Sequence, residues 1–332
     1  MKTRAPGKLI LSGEHAVVHG APALAMAVNR HATAEILPHS REEILLQLPE
    51  GREVHMPLSD LTEHLARVEA RHQAFQAGTG GVSEIVPAPE DLLFAAVALC
   101  QPQTGHIIRL ESNIPRGAGM GSSAAVILTI LRGLSPESTM EILAKDALRC
   151  ENFQHGRSSG LDVEVCLRGG MVYAKKGAFR NCSIPYPPAF QIWLSGTPES
   201  STGECVAQVG KQFPKQDSTW NAFAAVTRRT RLALESKDSA AWLGLIRENH
   251  RLLCQIGVVP PAVQKVIAEQ EAHGGAGKIC GAGSIRGDAA GLILLIGPTL
   301  QSPPPEWTRL DLDLSPSGLC VCSPMDSSPT SP

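Results

Sequence analysis

The sequence predicts an α+β chain of two domains, and three observations point there. The 332 residues suit two mid-sized domains. Strand and helix patterns intermix without regular βα alternation, which argues against a doubly wound sheet. Residues 177–188 hold Gly, Asn and three prolines, the composition of a boundary. The first domain is placed at 1–180 and the second at 181–322. Residues 323–332, rich in Ser and Pro, read as a disordered tail.

The elements follow in order. Lys8–Leu11 reads as a strand closed by a turn at Ser12-Gly13, and Ala16–Val18 as a second strand. Ala21–Val28 is apolar enough for a buried strand or helix. Residues 42–56 read as strands about a turn at Pro49-Glu50-Gly51. Leu61, Leu65, Val68 and Phe75 fall at roughly helical spacing over 59–76, and 77–90 is a loop. Asp91–Cys100 is an apolar helix with Glu90 and Asp91 at its positive end. Gly105–Ile114 alternates as a strand, and an apolar helix runs from Ser122 to Leu134.

A further helix follows Ser135–Ser138 and runs to Gln154. Val163–Lys175 reads as a strand pair around Gly169-Gly170. Beyond the boundary come a strand at Ile192–Leu194 and helices at 203–213, 218–235, 239–256 and 260–273. A second Gly-rich loop (274–287), a strand (291–296), a Pro-rich link (298–305) and a last strand near 319–322 complete the chain.

Composition excludes several classes. Lys plus Arg is 30 against 32 Asp plus Glu, a net charge of −2, so no electrostatic drive toward nucleic acid or an anionic membrane exists. Aromatic residues are 4%, so aliphatic side chains and Ala must fill the core. No apolar run reaches the ~18 residues that span a bilayer, and the first residues do not read as a signal peptide. The nine cysteines are scattered without a C-x-x-C pair, which favours reduced thiols over a disulfide frame or zinc site. A cytoplasmic protein is the expectation.

Four segments carry chemistry. In Ile114-Pro115-Arg116-Gly117-Ala118-Gly119-Met120-Gly121-Ser122-Ser123-Ala124-Ala125, three glycines at alternate positions stand between a strand and a helix. They allow unusual φ values and close backbone approach. The helix N-terminus they feed favours an anion, with Ser122 and Ser123 offering hydroxyls to phosphate or metal. It is neither a Walker A loop nor the dinucleotide fingerprint, because no Gly-Lys-Ser/Thr follows and Ser122 stands where a third Gly belongs. The plain alternative is a tight turn with a Ser-capped helix.

The second segment, Ala5–Gly20, packs Lys8, Glu14, His15 and His19 among glycines, although singly each is an ordinary solvated or capping residue. In the third, Arg149–Asp162, Glu151 lies near a helix C-terminus, an unfavourable place for an anion that metal ligation would explain. Asp162 follows a Ser-Ser-Gly turn at the head of a strand, from which its carboxylate can enter a cleft; an Asx-type turn is the alternative. The fourth, Gly274–Asp288, is a second Gly-rich loop, fit to close over a ligand or merely to link two elements. Together they supply what phosphoryl transfer needs: a phosphate cradle, a metal ligand set, a cation near the reacting oxygens and a carboxylate for the acceptor hydroxyl.

These segments, in this order, resemble the GHMP kinase superfamily over about residues 3 to 296. Gly13-Glu14-His15-Ala16-Val17-Val18-His19-Gly20 and the spacing from Glu151 to Ser159-Gly160-Leu161-Asp162 look most like its mevalonate kinase branch. The resemblance implies an N-terminal domain like ribosomal protein S5 domain 2, a ferredoxin-like C-terminal domain, and an active site between them. It implies an ATP- and Mg²⁺-dependent kinase for the C5 hydroxyl of mevalonate, in isoprenoid biosynthesis. Asp162 would be the general base or hydroxyl-orienting carboxylate, and Lys8 would stabilise charge between that oxygen and the γ-phosphate. Glu151 and Ser123 would hold Mg²⁺. Gly117, Ala118, Gly119, Met120, Gly121, Ser122 and Ser123 would wrap the phosphates of ATP, and Ser112 matches a nucleotide-contacting Ser. Glu14 and His15 would line the mevalonate site, with Thr202 near it. Homodimers occur in the family.

Two departures stand out. The family's third motif is usually Gly-Ala-Gly-Gly-Gly-Gly, whereas here it reads Gly281-Ala282-Gly283-Ser284-Ile285-Arg286-Gly287. Ile285 resists φ > 0, so this loop should take another shape. The family often has Lys after the Ser-Thr, where Gly203 stands here. Another acceptor, such as phosphomevalonate, is the alternative within the fold. A ligand sensor of the same fold is a third reading, which the presence of Lys8, Glu151 and Asp162 disfavours.

Overall fold

The computed structural model describes residues 1–184, 189–300 and 302–322. The expected tail at 323–332, and residues 185–188 of the expected boundary, lie outside the described residues.

Two sheets organise the chain. The first has eight strands. β1 (Lys2–Ser12) runs antiparallel to β2 (Ala23–Pro38), a 16-residue strand that pairs by its first half with β6 (Met171–Lys175) and by its second with β5 (His106–Ser112). β3 (Glu43–Gln47) lies parallel to β5, β4 (Glu53–Pro57) closes that edge, and β7 (Ala178–Cys182) extends β6. The second sheet has the order β11 (Thr308–Leu310), β8 (Gln191–Leu194), β10 (Leu292–Ile296), β9 (Ala276–Ile279), all antiparallel. The chain then returns: β12 (Cys320–Val321), placed with the second domain by sequence, pairs with β1 in the first sheet.

Helices cover both sheets. α1 (Leu58–Gln76), the short α2 (Val82–Ile85), α3 (Pro89–Leu99), α4 (Ser122–Leu134), α5 (Met140–His155) and α6 (Leu161–Arg168) belong to the first half. α4 packs on β1 and β2, burying Ala124, Ala125, Ile127, Leu128, Ile130 and Leu131. Its small residues permit close approach: a Cβ at Gly133 would lie 2.5 Å from Ile36 Cγ1. α7 (Thr202–Gln212), α8 (Thr219–Glu235), α9 (Ser239–Gln255) and α10 (Pro261–Ala272) belong to the second half, where α9 and α10 pack on β9 and α8 reaches β1 and β2. The largest apolar cluster therefore runs from Leu9 and Met26 through Trp242 to Leu294, joining both sheets.

Five local expectations change, and the first is the loop at 77–90, which contains α2. Ala16–His19 is a 3₁₀ turn, ended by Gly20 at φ 89°, and not a strand. Residues 161–168 form α6, so Asp162 sits in the first turn of a helix and not at the head of a strand. Leu161, Val163, Val165 and Leu167 alternate like a strand, but Gly160 at φ 77° starts a helix whose two sides are both buried. The expected loop at 274–287 contains β9, all four of whose residues are buried. β7 and β11 are strands where none was expected.

Candidate active site

β5, the 113–121 loop and α4 form a strand–loop–helix unit. Gly117, Gly119 and Gly121 take φ values of 70°, 78° and 69°, while the intervening Ala118 and Met120 are buried. Alternate left-handed residues turn backbone N–H groups toward one concave side, a nest for anions. Met120 also fixes β1, since its carbonyl accepts from the Lys8 N–H at 2.9 Å. Gly7 lets the strand come that close, because a Cβ there would be 3.1 Å from the Met120 oxygen.

That bond sets Lys8 beside α6. Its buried Nζ lies 3.1 Å from Asp162 Oδ1, and the carboxylate is 27% exposed. From the second residue of α4, Ser123 Oγ donates to Glu151 Oε1 at 2.6 Å. Burial pushes the Glu151 carboxyl above its ordinary value; nearby Asp162 adds to this, while His155, the Ser123 hydroxyl and Lys8 oppose it. All these groups line one cleft of about 760 Å³, together with Ser112, His15, Thr202, Gly281 and Ala282. Its other end is apolar, lined by Leu48, Pro49, Val86, Pro87 and Leu92. Sequence reasoning had no hold on that end: Pro49, Val86 and Pro87 come from segments that read only as turn and loop, and Leu48 and Leu92 only as parts of a strand and a helix.

Glu14 and His15 diverge. Glu14 is 1% exposed and is ion-paired with the buried Lys278 of β9, and Asn249 Nδ2 donates to its other oxygen at 3.4 Å. Lys278 also donates to the Ile279 and Ile10 carbonyls at 2.6 and 3.3 Å. Asn249 Oδ1 in turn accepts from Ser12 Oγ at 2.8 Å, so β1 is tied to α9 as well as to β9. Lys278 went unnoticed in the sequence because it lies 264 residues from Glu14. His15, at φ 57°, has Nε2 2.9 Å from the Ala282 oxygen, so Nε2 carries the proton and donates. Its buried Nδ1 has no partner among the described residues, and burial pushes the imidazole down to about 4.

The third motif closes from the second sheet. A Cβ at Gly119 would be 3.4 Å from the Cys280 oxygen, and one at Gly291 3.0 Å from the Ala118 oxygen. Gly281, Gly283 and Gly287 take positive φ while Ile285 does not, as its branched side chain requires. Arg286 is paired with Glu204 at 2.8 Å on the exposed side of this loop.

Residues 91–170, which hold this cradle and both carboxylates, match the family model of the GHMP kinases N-terminal domain. Mevalonate kinase of Thermococcus sibiricus is 30% identical, covering 90% of this chain and 89% of its own. This chain belongs to the mevalonate kinase family. The Bos taurus member is also 30% identical, over 92% of this chain and 88% of its own. Among solved structures, Methanococcus jannaschii mevalonate kinase superposes with a TM-score of 0.71, at 23% identity and 90% coverage of each chain. Galactokinase of Lactococcus lactis reaches 0.72 at 14% identity, covering 96% of this chain and 94% of its own. The fold is thus shared with a kinase of different name. No helix among the described residues is long and apolar enough to cross a membrane.

Proposed function

We propose that the protein transfers the γ-phosphoryl group of ATP to the C5 hydroxyl of mevalonate, giving 5-phosphomevalonate and ADP. The Lys8–Asp162 pair, held against the phosphate loop in one cleft, carries this reading. Relatives named mevalonate kinase along nearly the whole length support the acceptor, as does the superposition on L. major mevalonate kinase solved with R-mevalonate (TM-score 0.64).

Phosphoryl transfer passes through a loose transition state, so positioning and charge compensation do most of the work. Asp162 is open to the cleft and takes the hydroxyl proton or orients the hydroxyl. Lys8 sits between that oxygen and the phosphate loop, where it offsets charge developing on the transferred group. The backbone N–H groups of 117–123 hold the phosphates, with the Ser122 hydroxyl at hand and Ser112 lining the nucleotide side. The apolar end, around Leu48, Val86 and Leu92, suits the base of the nucleotide. On the acceptor side, the free Nδ1 of His15 accepts a hydrogen bond from mevalonate, and Thr202 lies on the same wall. Glu14 lines the same cleft, with its two oxygens engaged by Lys278 and Asn249.

Ser123 and Glu151 fit Mg²⁺. Among the described residues no three His, Cys, Asp or Glu side chains converge on one point. A hard ion that takes one carboxylate, one hydroxyl, waters and substrate phosphates needs no more. Bound there, Mg²⁺ would neutralise phosphate charge.

The test is ADP release by purified protein with Mg-ATP and mevalonate, phosphomevalonate, galactose or homoserine. Turnover on mevalonate is expected. Turnover only on another acceptor overturns the reading.

A further inference from the structure

The cations lining the cleft divide into paired and unpaired. Lys8 is paired with Asp162 and Arg52 with Glu90. Arg116 and Arg157 have no ion-pair partner among the described residues. Arg116 belongs to the phosphate loop, which explains it. Arg157 does not, and the phosphate, metal and base sites leave it without a role.

The backbone that carries Arg157 is fixed. Gly156 and Gly160 take φ values of 73° and 77° and turn the chain between α5 and α6. The Ser158 N–H donates to Asn152 Oδ1 at 2.7 Å, the Gly160 N–H to Ser158 Oγ at 3.2 Å, and the Leu161 N–H to Ser159 Oγ at 3.3 Å. The loop is thus locked while the guanidinium stays exposed in the cleft wall.

Its loop lies beside the start of α7, and Arg157 and Thr202 line the same cleft. Burial, then Arg157 and Lys215, hold His19 below its ordinary value, and His19 is stacked on Trp220 at 4.1 Å, at the end of the 3₁₀ turn that follows His15. The start of α7 abuts the same loop, for a Cβ at Gly203 would stand 3.5 Å from the His155 oxygen. Position 203, where the sequence lacks a Lys, therefore faces the loop that presents an Arg.

We infer that Arg157 binds the carboxylate of the acceptor and so selects a hydroxy acid over an uncharged alcohol. This rests on the mevalonate reading. In mevalonate the carboxylate stands at the far end from the C5 hydroxyl, so its cation must lie on the acceptor side, away from Lys8 and the phosphate loop. A guanidinium meets a carboxylate with two parallel hydrogen bonds, which an ammonium cannot do.

The experiment compares wild type, Arg157→Gln and Arg157→Lys on mevalonate and on 3-methylpentane-1,3,5-triol, its counterpart with the carboxylate reduced to an alcohol. Arg157→Gln should raise KM for mevalonate about 10- to 100-fold, the worth of a hydrogen bond between charged groups. The kcat, the KM for ATP and the thermal midpoint should not change. Wild type should discriminate against the triol by a similar factor, Arg157→Gln should not, and Arg157→Lys should fall between. An unchanged KM for mevalonate, an equal loss on the triol, or a rise in KM for ATP instead would overturn the assignment. Wild type inactive on mevalonate but active on another acceptor would overturn the mevalonate reading, and this assignment with it.

Discussion

Lys8 Nζ lies 3.1 Å from Asp162 Oδ1 with its two ends unequally wet, the ammonium buried and the carboxylate partly open to the cleft. The cation is thereby aimed, and one carboxylate oxygen stays available to a hydroxyl.

Asp162→Asn should keep the fold and nucleotide affinity and lose turnover. General-base contributions run about 10²–10⁴-fold, so kcat should fall by that much. Single-turnover ADP formation, with calorimetric nucleotide binding as control, measures it. A near-normal kcat would remove Asp162 from the reaction.

Gly121 holds this pair at contact distance. At φ 69°, its added Cβ would stand 3.0 Å from Lys8 Cγ and 3.6 Å from Asp162 Oδ2. Gly121→Ala combines left-handed strain of roughly 1–2 kcal/mol with a displaced Lys8, and misplaced catalytic groups cost up to about 10² in rate. Gly20→Ala has comparable strain, at φ 89°, but open space around it, and serves as the control. Only Gly121→Ala should lower kcat tenfold or more; equal kinetic effects would show that strain alone is at work.

Lys278→Met leaves the Glu14 carboxylate buried and unpaired. Breaking one side of such a pair costs about 3–5 kcal/mol, visible as a lower urea midpoint. Adding Glu14→Gln should recover part of this, because the lone charge is gone. A double variant no more stable than Lys278→Met would mean that the pair is not coupled.

Acid should destabilise the protein through its buried imidazoles. His15 and His250 are both pushed down to about 4, by burial first. Between pH 6.5 and 4 the unfolded chain binds more protons at these sites than the folded one, so stability is complete above 6.5 and falls as pH drops through that window. Thermal midpoints from pH 7 to 4.5 should decline, and His250→Gln should flatten the decline. An unchanged slope would place the proton uptake elsewhere.

Much of the site was legible because it is local. Gly117-Ala118-Gly119-Met120-Gly121-Ser122-Ser123 is one continuous segment whose chemistry survives without neighbours, and α4 begins at Ser122 as its apolar run implies. Lys278 was not legible. A four-residue strand made of Ala, Gly, Lys and Ile carries no strand periodicity, and its charge is tolerable only because Glu14 arrives from the turn that follows β1. Gly277 looked like loop composition, yet it is there because Leu295 Cδ2 would lie 2.6 Å from a Cβ. The alternation in Leu161–Leu167 misled for a related reason: with both sides of α6 buried, helix and strand share one pattern. Glu14 was legible as an unusual residue, but only the structure shows what occupies its oxygens.

β12 closes the edge of the first sheet against β1, and Gly318 packs there so tightly that a Cβ would lie 2.2 Å from the Leu167 oxygen. A ribosome makes β1 before every other strand described and β12 only after the whole of the second sheet. A nascent chain thus carries an unfinished, pairing-prone edge until β12 is made. Completion of the catalytic half therefore waits on the second sheet, and a stalled chain ending near residue 300 would hold every catalytic side chain while its first sheet still lacked an edge strand.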